Sequence, residues 1–137
     1  MITALTQNVV DSLNAGVFTQ AFTAERVYLP VYDTKDENGL KVSVYPSELD
    51  QSVLNRATVQ NEMAVIVLVQ KKVTAATEVD DLVALLEEIN THLRQNSIDG
   101  GNWMNAEVIT IYSPEHYQQF NVYSGAVKVT YLNAETR

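Results

Sequence analysis

The chain contains no cysteine, and it has only three prolines and five glycines among 137 residues. The absence of cysteine excludes disulfide bonds, thiolate nucleophiles and thiolate zinc sites. It is compatible with a reducing compartment. The sequence also contains no internal repeat and no low-complexity segment, which is typical of a compact domain.

Positive charge is scarce. Nine basic residues stand against 17 acidic residues, which gives a formal net charge of −8. A negative surface field repels the phosphate backbone of nucleic acids wherever salt leaves the charges unscreened. Sequence-specific nucleic-acid binding is therefore disfavoured.

Long hydrophobic runs are missing as well. The longest is the seven-residue stretch at the start of MAVIVLVQKKV, residues 63–73. A membrane-spanning helix needs about 18 or more apolar residues, and the N-terminus has no basic residue ahead of an apolar block. We expect a soluble, unprocessed protein with no membrane partner.

The composition is 46% apolar over 137 residues, which predicts a single domain, residues 1–137, with a substantial core. The apolar run 63–69 has no polar face, so it predicts a central strand covered on both sides. Lys71 and Lys72 follow it. They are interpreted as a solvated strand end, or alternatively as a contact with a partner subunit or an acidic surface.

Two helices are predicted from periodicity and capping signals. The first opens the chain, with Thr3 as its N-cap residue and Gly16 as a left-handed C-cap residue. The second covers residues 77–95, with Thr77 as its N-cap residue. The predicted apolar positions are Ile2, Leu5, Val9 and Leu13 in the first helix, and Val79, Leu82, Val83, Leu86, Ile89 and Leu93 in the second.

Strands are predicted between and after the helices. Residues 18–32 and 40–45 indicate a hairpin across the polar segment DTKDENG, residues 33–39. Residues 46–60 indicate a loop or one helical turn. After a turn at 96–105, two more strands are predicted near residues 108–113 and 127–131. The order predicts an α+β fold, a mostly antiparallel β-sheet with two main helices packed on one face.

Catalytic and metal-binding motifs are weak. His92 is predicted on the polar side of the second helix and His116 in a turn, and neither has further ligands at metal-binding spacing. Glu87 and Glu88 point about 100° apart on a helix, which indicates a solvated face. No serine lies in a nucleophile elbow, and no glycine-rich phosphate loop is present. We therefore expect no catalytic residues, no metal and no cofactor.

Trp103, in the segment GGNWMN, is the single tryptophan of the chain. Tryptophan is enriched at interfaces because it combines a large apolar surface with a polar N–H group. It is interpreted either as an interface anchor or as a side chain folded over the edge of the core.

Four segments occur in an order that resembles a known group of proteins. They are FTAERVYLPVYDTKDENGLKVSVYPSE, MAVIVLVQKKV, EVDDLVALLEEINTHL and FNVYSGAVKVTYL. Their succession, over about residues 18 to 132, resembles the small neck proteins of long-tailed bacteriophages. It is most similar to the tail terminator, or tail completion, proteins.

The resemblance implies a structural virion protein rather than an enzyme. Subunits are expected to self-associate into a ring, expected to be a hexamer, that caps the tail tube and joins it to the head connector. The expected partners are the tail tube protein and a head connector or completion protein, and genome DNA is expected to pass through the ring. The expected location is the tail or neck of the virion, assembled in the bacterial cytoplasm.

The segments 33–39 and 47–60 are the candidate contacts that the resemblance implies. With the two lysines and the tryptophan, the candidate interface residues are Asp33, Lys35, Asp36, Glu37, Asn38, Glu48, Arg56, Lys71, Lys72 and Trp103. Reversing the charges of both lysines is expected to impair ring formation more than folding.

Three alternatives stay open. One is a neighbouring head completion protein. Another is a small α+β module that binds a small molecule or peptide, which would require the aromatic residues to converge on one pocket. The aromatic residues concerned are Phe22, Tyr28, Tyr45, Trp103 and Tyr112. The third is an enzyme, which would require two Glu or His side chains within hydrogen-bond reach in a cleft.

Overall fold

The computed structural model describes residues 2–27, 40–73, 76–110 and 122–136. Two helices and five strands occupy these ranges: α1 (Ile2–Ala15), β1 (Ala24–Arg26), β2 (Lys41–Val53), β3 (Thr58–Lys72), α2 (Ala76–Gln95), β4 (Asn102–Thr110) and β5 (Val122–Thr136). The strands form one sheet in the order β1-β2-β3-β5-β4. All neighbouring pairs are antiparallel except β1 and β2. The predicted α+β fold is confirmed.

The apolar run of the sequence lies in β3, the middle strand of the sheet. Its odd-numbered residues Met63 to Val69 face the helices and have no exposed surface. On the opposite face, Ala64 is buried, whereas Ile66 and Leu68 are only half-buried. The central position is confirmed. Neither described helix packs on that second face, yet Ser43 and Ala64 there are also buried, so the expected cover on both sides stays a prediction.

The helices pack on one face because their apolar residues recur with the helical period. The buried helix residues in the single core cluster are Leu5, Val9, Val10 and Leu13 of α1, and Leu82, Leu85, Leu86, Ile89 and Leu93 of α2. Burial of each large aliphatic side chain contributes roughly 1.5–3 kcal/mol to folding. Leu85 was not among the predicted apolar positions, but it also lies on the buried face of α2. Neither α1 nor α2 has the length and apolarity to span a bilayer.

The predicted helix caps are wrong. The first helix begins at Ile2 and the second at Ala76, so Thr3 and Thr77 lie inside the helices. Capping requires a non-helical backbone at the cap residue. Gly16 does follow α1, but Gly100 is the described glycine with a positive φ, of 101°. Gly16 is therefore no left-handed cap.

The predicted hairpin across residues 33–39 is also wrong for the strands that the structure describes. The first strand is only three residues long and pairs parallel with β2, with Ala24 opposite Val42 and Arg26 opposite Val44. A parallel pair requires a crossover connection of about a dozen residues or more, whereas a hairpin makes an antiparallel pair. The intervening residues 28–39 lie outside the described part of the chain.

Residues 46–60 form a β-hairpin tip instead of the predicted loop or helical turn. Pairing shifts register between Pro46 and Glu48, and β2 then continues to Val53. A bulge lets a strand continue past a proline, which has no N–H to donate. Leu49 and Val53 lie on one face of β2, but the polar Gln51 between them interrupts the apolar alternation that would have predicted a strand. We call residues 47–60 the arm.

The last two strands are longer than predicted. The segment Asn102–Asn105, predicted as part of a turn, already belongs to β4. In β5, Val127, Val129 and Tyr131 are buried as expected. Lys128 faces the other side and is half-buried, but Thr130 on that side is buried as well. Residues 111–121, including the predicted turn that contains His116, lie outside the described residues.

Two tyrosines of β5 point into the core. Tyr123 and Tyr131 are 0% and 1% exposed, and their hydroxyl groups have no hydrogen-bond partner within the described ranges. Burial disfavours the phenolate, so it raises the pKa of Tyr123 to about 12 and raises the pKa of Tyr131 further.

We expect the protein to lose stability in alkaline solution. Above pH 10 the unfolded tyrosines release protons while the folded ones keep theirs, so the free energy of unfolding falls as pH rises from 10 to about 12. At pH 11 each tyrosine is expected to contribute a loss of roughly 1 kcal/mol. Urea unfolding at pH 8 and pH 11 measures this difference.

The matched control is the double variant Tyr123→Phe with Tyr131→Phe, which retains both rings. It is expected to lose clearly less stability between pH 8 and pH 11 than the unmodified chain. An identical loss in both proteins would show that these two hydroxyl groups do not titrate as their burial requires.

Candidate functional site

The arm extends the sheet beyond the helices. On the helix-facing side, Leu49 pairs with Met63, and Gln51 pairs with Asn61 in the next row. Met63 and Asn61 have no exposed surface, and Gln51 Nε2 donates a hydrogen bond to Asn61 Oδ1 at 2.8 Å. The apolar core ends at this row, and the arm continues past it.

The tip of the arm is a defined turn. The backbone N–H groups of Leu54 and Asn55 donate to the carbonyl of Thr58, at 3.0 and 3.2 Å. Asn55 Oδ1 accepts from the N–H of Ala57 at 2.9 Å, a side-chain contact that stabilises turns. Arg56 lies in this turn and is exposed.

The arm carries three large apolar side chains that are exposed. Leu49 is 44%, Val53 62% and Leu54 53% exposed. The first strand pairs with β2 only at residues 42–44, so within the described ranges no strand pairs with the outer edge of β2 along the arm. An unpaired edge with apolar side chains is a template for association.

A second exposed apolar group lies on the opposite edge of the sheet, in β4. It comprises Trp103, Met104 and Val108, which are 37%, 42% and 37% exposed. We call these three residues the β4 strip. The strand has register shifts near both ends of the strip, between Trp103 and Asn105 and between Val108 and Thr110. Two apolar groups thus lie on two different sheet edges.

The predicted interface residues are not brought together. Glu48 and Arg56 lie in the arm, and Trp103 lies in the β4 strip. Lys71 and Lys72 are at the other end of β3, roughly 45 Å along the strand from Thr58. Both lysines are half-buried instead of fully solvated. Their role in association stays a prediction, and Asp33, Lys35, Asp36, Glu37 and Asn38 lie outside the described residues.

Trp103 lies at the edge of the core and is partly exposed, and its role as an interface anchor stays a prediction. It pairs with Tyr131 in the register of β4 and β5, and it lines a shallow groove together with Arg94 and Tyr131. One part of the ring therefore covers the edge of the core. The exposed part contributes to the β4 strip.

The sheet face turned away from the helices is acidic toward the arm. Glu48, Asp50, Glu62 and Glu107 lie there by strand register. Lys128 Nζ lies 3.0 Å from Glu48 Oε1, and the hydrogen bond to Glu48 raises the pKa of Lys128. The pair is solvent-accessible, so it contributes at most about 1 kcal/mol to stability.

His92 lies at the contact between the two helices, so its predicted position on the polar face is wrong. Its Nε2 is 3.0 Å from Ser12 Oγ and 3.1 Å from the Ser12 carbonyl oxygen. Its Nδ1 is 3.2 Å from Asn96 Nδ2, which also donates to the His92 carbonyl. The Phe18 ring contacts the imidazole edge-on, at 5.2 Å between centroids.

This network assigns the histidine tautomer. The Ser12 carbonyl can only accept a hydrogen bond, so Nε2 carries the proton and donates it, while Nδ1 accepts from Asn96. A protonated Nε2 cannot take the Ser12 hydroxyl proton, as nucleophilic catalysis would need. His92 therefore clamps α2 to the end of α1.

Glu88 and His92 line one shallow groove next to Phe18. Glu88 Oε1 accepts hydrogen bonds from the Thr19 N–H and hydroxyl at 3.2 and 2.6 Å, whereas His92 bonds to Ser12 and Asn96. Within the described ranges, no group of three or more His, Cys, Asp or Glu side chains is arranged to hold a metal ion.

The aromatic residues occupy different surfaces. Phe22 packs against Phe18 at 5.0 Å between ring centroids. Tyr45 pairs with Ile66 on the face away from the helices, and Trp103 lies in β4. Tyr28 and Tyr112 lie outside the described residues. The three described aromatics do not converge on one pocket, which a small-molecule binding module would need.

The chain was compared with known proteins. Searches against protein-family models and against curated proteins each returned no match.

We expect Gly16→Ala to destabilise the fold through the His92 clamp. A Cβ atom at this position would lie 2.8 Å from His92 Cε1 and 2.9 Å from Phe18 Cε2. Overpacking of this kind costs about 1–3 kcal/mol. Urea unfolding measures the loss. The neighbouring exposed change Ala15→Ser is the control and is expected to alter stability by less than about 0.5 kcal/mol; equal stability of the two variants would contradict a rigid clamp.

Proposed function

We propose that this chain is a structural subunit that assembles into a ring in the neck of a long-tailed bacteriophage, where it caps the tail tube and joins it to the head connector. The observation that supports this proposal is the pair of exposed apolar groups, the arm and the β4 strip, on opposite edges of one sheet. Exposed apolar edge strands mark association surfaces. The order of sequence segments that resembles tail terminator proteins supports the phage assignment.

The two groups differ in sequence, which favours head-to-tail contacts. A contact between two different surfaces repeats from subunit to subunit and closes into a ring when the rotation permits. A contact that used one surface twice would stop at a dimer. A ring of six subunits is expected, and this number comes only from the resemblance to tail terminator proteins.

The acidic sheet face suits a ring through which DNA passes. The carboxylates of Glu48, Glu107 and Asp50 interact with the half-buried Lys128 on the face away from the helices, and Glu62 lies on the same face. Negative side chains repel DNA phosphates, so a channel lined by this face would let the duplex move without binding it. We propose that this face is turned toward the channel.

The first test is imaging and mass measurement of the purified full chain over a concentration series. Rings with a central hole wide enough for duplex DNA are expected as concentration rises. Addition of purified tail tubes lacking a terminator then tests the capping role. Monomeric particles at every concentration, with and without tube ends, would contradict the proposal and favour a binding module.

We expect Val53→Glu with Leu54→Glu to weaken association at least tenfold, because both side chains are more than half exposed on the arm and two buried charges would oppose the contact. Sedimentation velocity over a concentration series measures this effect. Folding stability is expected to change little, since exposed substitutions typically alter it by about 0.5 kcal/mol or less.

Val17→Glu is the control, and it adds one negative charge where the arm variant adds two. Val17 is 98% exposed but lies in neither apolar group, next to Phe18 at the end of α1. It is expected to associate like the unmodified chain. If the control weakens association as much as the arm variant does, general negative charge and not the arm is responsible.

A further inference from the structure

The first strand, β1, has backbone groups that point away from the sheet. It pairs parallel with β2 from Ala24 to Arg26, and the Val27 N–H donates to the Val44 carbonyl at 2.9 Å. Successive residues of a strand direct their backbone groups to opposite sides, so Glu25 and Val27 face β2, whereas Ala24 and Arg26 face outward. Outward N–H and C=O groups on an edge strand are a template for pairing with another chain.

The Asn14 side chain occupies the outward groups of Ala24. Its Oδ1 accepts a hydrogen bond from the Ala24 N–H at 2.7 Å, and its Nδ2 donates to the Ala24 carbonyl at 3.2 Å. A primary amide offers an acceptor and a donor side by side, as one residue of a neighbouring strand does. Asparagine is a poor helix former, so its place in the last turn of α1 is better explained by these two bonds.

Pro46 keeps this edge short. Val44 directs its backbone toward β1, and Pro46 lies two residues further along the regular part of β2, on the same side. Proline has no N–H, so β2 lacks the donor to the Val27 carbonyl that would continue the ladder. The first strand therefore ends at Arg26, whose charged side chain is exposed. Short length and exposed charge both disfavour pairing at a sheet edge.

We infer that Asn14 closes the β1 edge against the addition of a strand from a second copy of this chain. Its amide makes the hydrogen bonds with Ala24 that an added strand would otherwise make. Association is thereby kept away from this edge. The inference does not rest on the proposed ring, because β1 belongs to neither the arm nor the β4 strip.

Hydrogen exchange of the full chain tests the contact itself. In Asn14→Ala the Ala24 N–H loses its acceptor, so its exchange is expected to become about tenfold faster. Asn8→Ala is the matched control, because Asn8 lies on the same helix and its Nδ2 donates to the Asp99 carbonyl at 2.7 Å. The control is expected to leave exchange at Ala24 unchanged. Equal exchange at Ala24 in both variants would overturn the assigned contact.

Aggregation tests whether the contact closes the edge. Without the amide, Ala24 is open to a strand of another molecule, so Asn14→Ala is expected to form thioflavin-binding aggregates about threefold or more faster than Asn8→Ala. Gly16→Ala controls for lost stability, since it acts through His92 and Phe18 and not through β1. All variants are compared at the same interval below their melting temperatures. If Asn14→Ala aggregates no faster than Gly16→Ala, the inference is wrong.

A second pair of variants, Asn14→Asp and Asn8→Asp, gives the test if Asn14→Ala does not fold. Both add one negative charge to α1. Asn14→Asp keeps an oxygen for the Ala24 N–H but has no donor for the Ala24 carbonyl, so half of the edge is opened. It is expected to aggregate faster than Asn8→Asp, and equal rates would contradict the inference.

Discussion

The structure depends on the pairing of β3 with its two neighbours. All fifteen residues of this strand pair with β5, and twelve pair with β2. A strand of this length extends roughly 50 Å, whereas the longer helix, α2, covers about 30 Å. The helices therefore cannot cover the whole ladder. The uncovered ends of β2 and β3 form the arm. Its backbone is held by a continuation of the antiparallel hydrogen-bond ladder of the sheet.

The transition from core to arm follows from the side chains of β3. Alternate residues from Met63 to Val69 are fully buried under the helices. At Asn61 the same face becomes polar, and the amide contact with Gln51 marks the boundary. Leu49 just before this boundary and Val53 just beyond it are exposed apolar residues. The proposed association gives these residues a partner and uses the stiffness of the sheet to present them.

The candidate site was predicted only in part, because it is made of surfaces and not of a motif. The segment 47–60 was proposed as a contact from the resemblance, but as a loop or helical turn, because the polar Gln51 interrupts the apolar alternation between Leu49 and Val53. Trp103 was identified from its rarity alone, whereas Met104 and Val108 had no distinguishing feature. Their exposure follows from the edge position of β4, and strand order is not visible in one sequence.

The sequence by itself determined the α+β class, the two amphipathic helices and the central place of the apolar run, because hydrophobic periodicity acts locally and each element must bury its own apolar face. Tertiary structure decided the parallel pairing of β1, the length of the arm, the position of His92 between the helices and the choice of edge strands. These features depend on contacts between residues distant in the chain. Ser12 and His92, 80 positions apart, meet only when both helices have docked on the sheet.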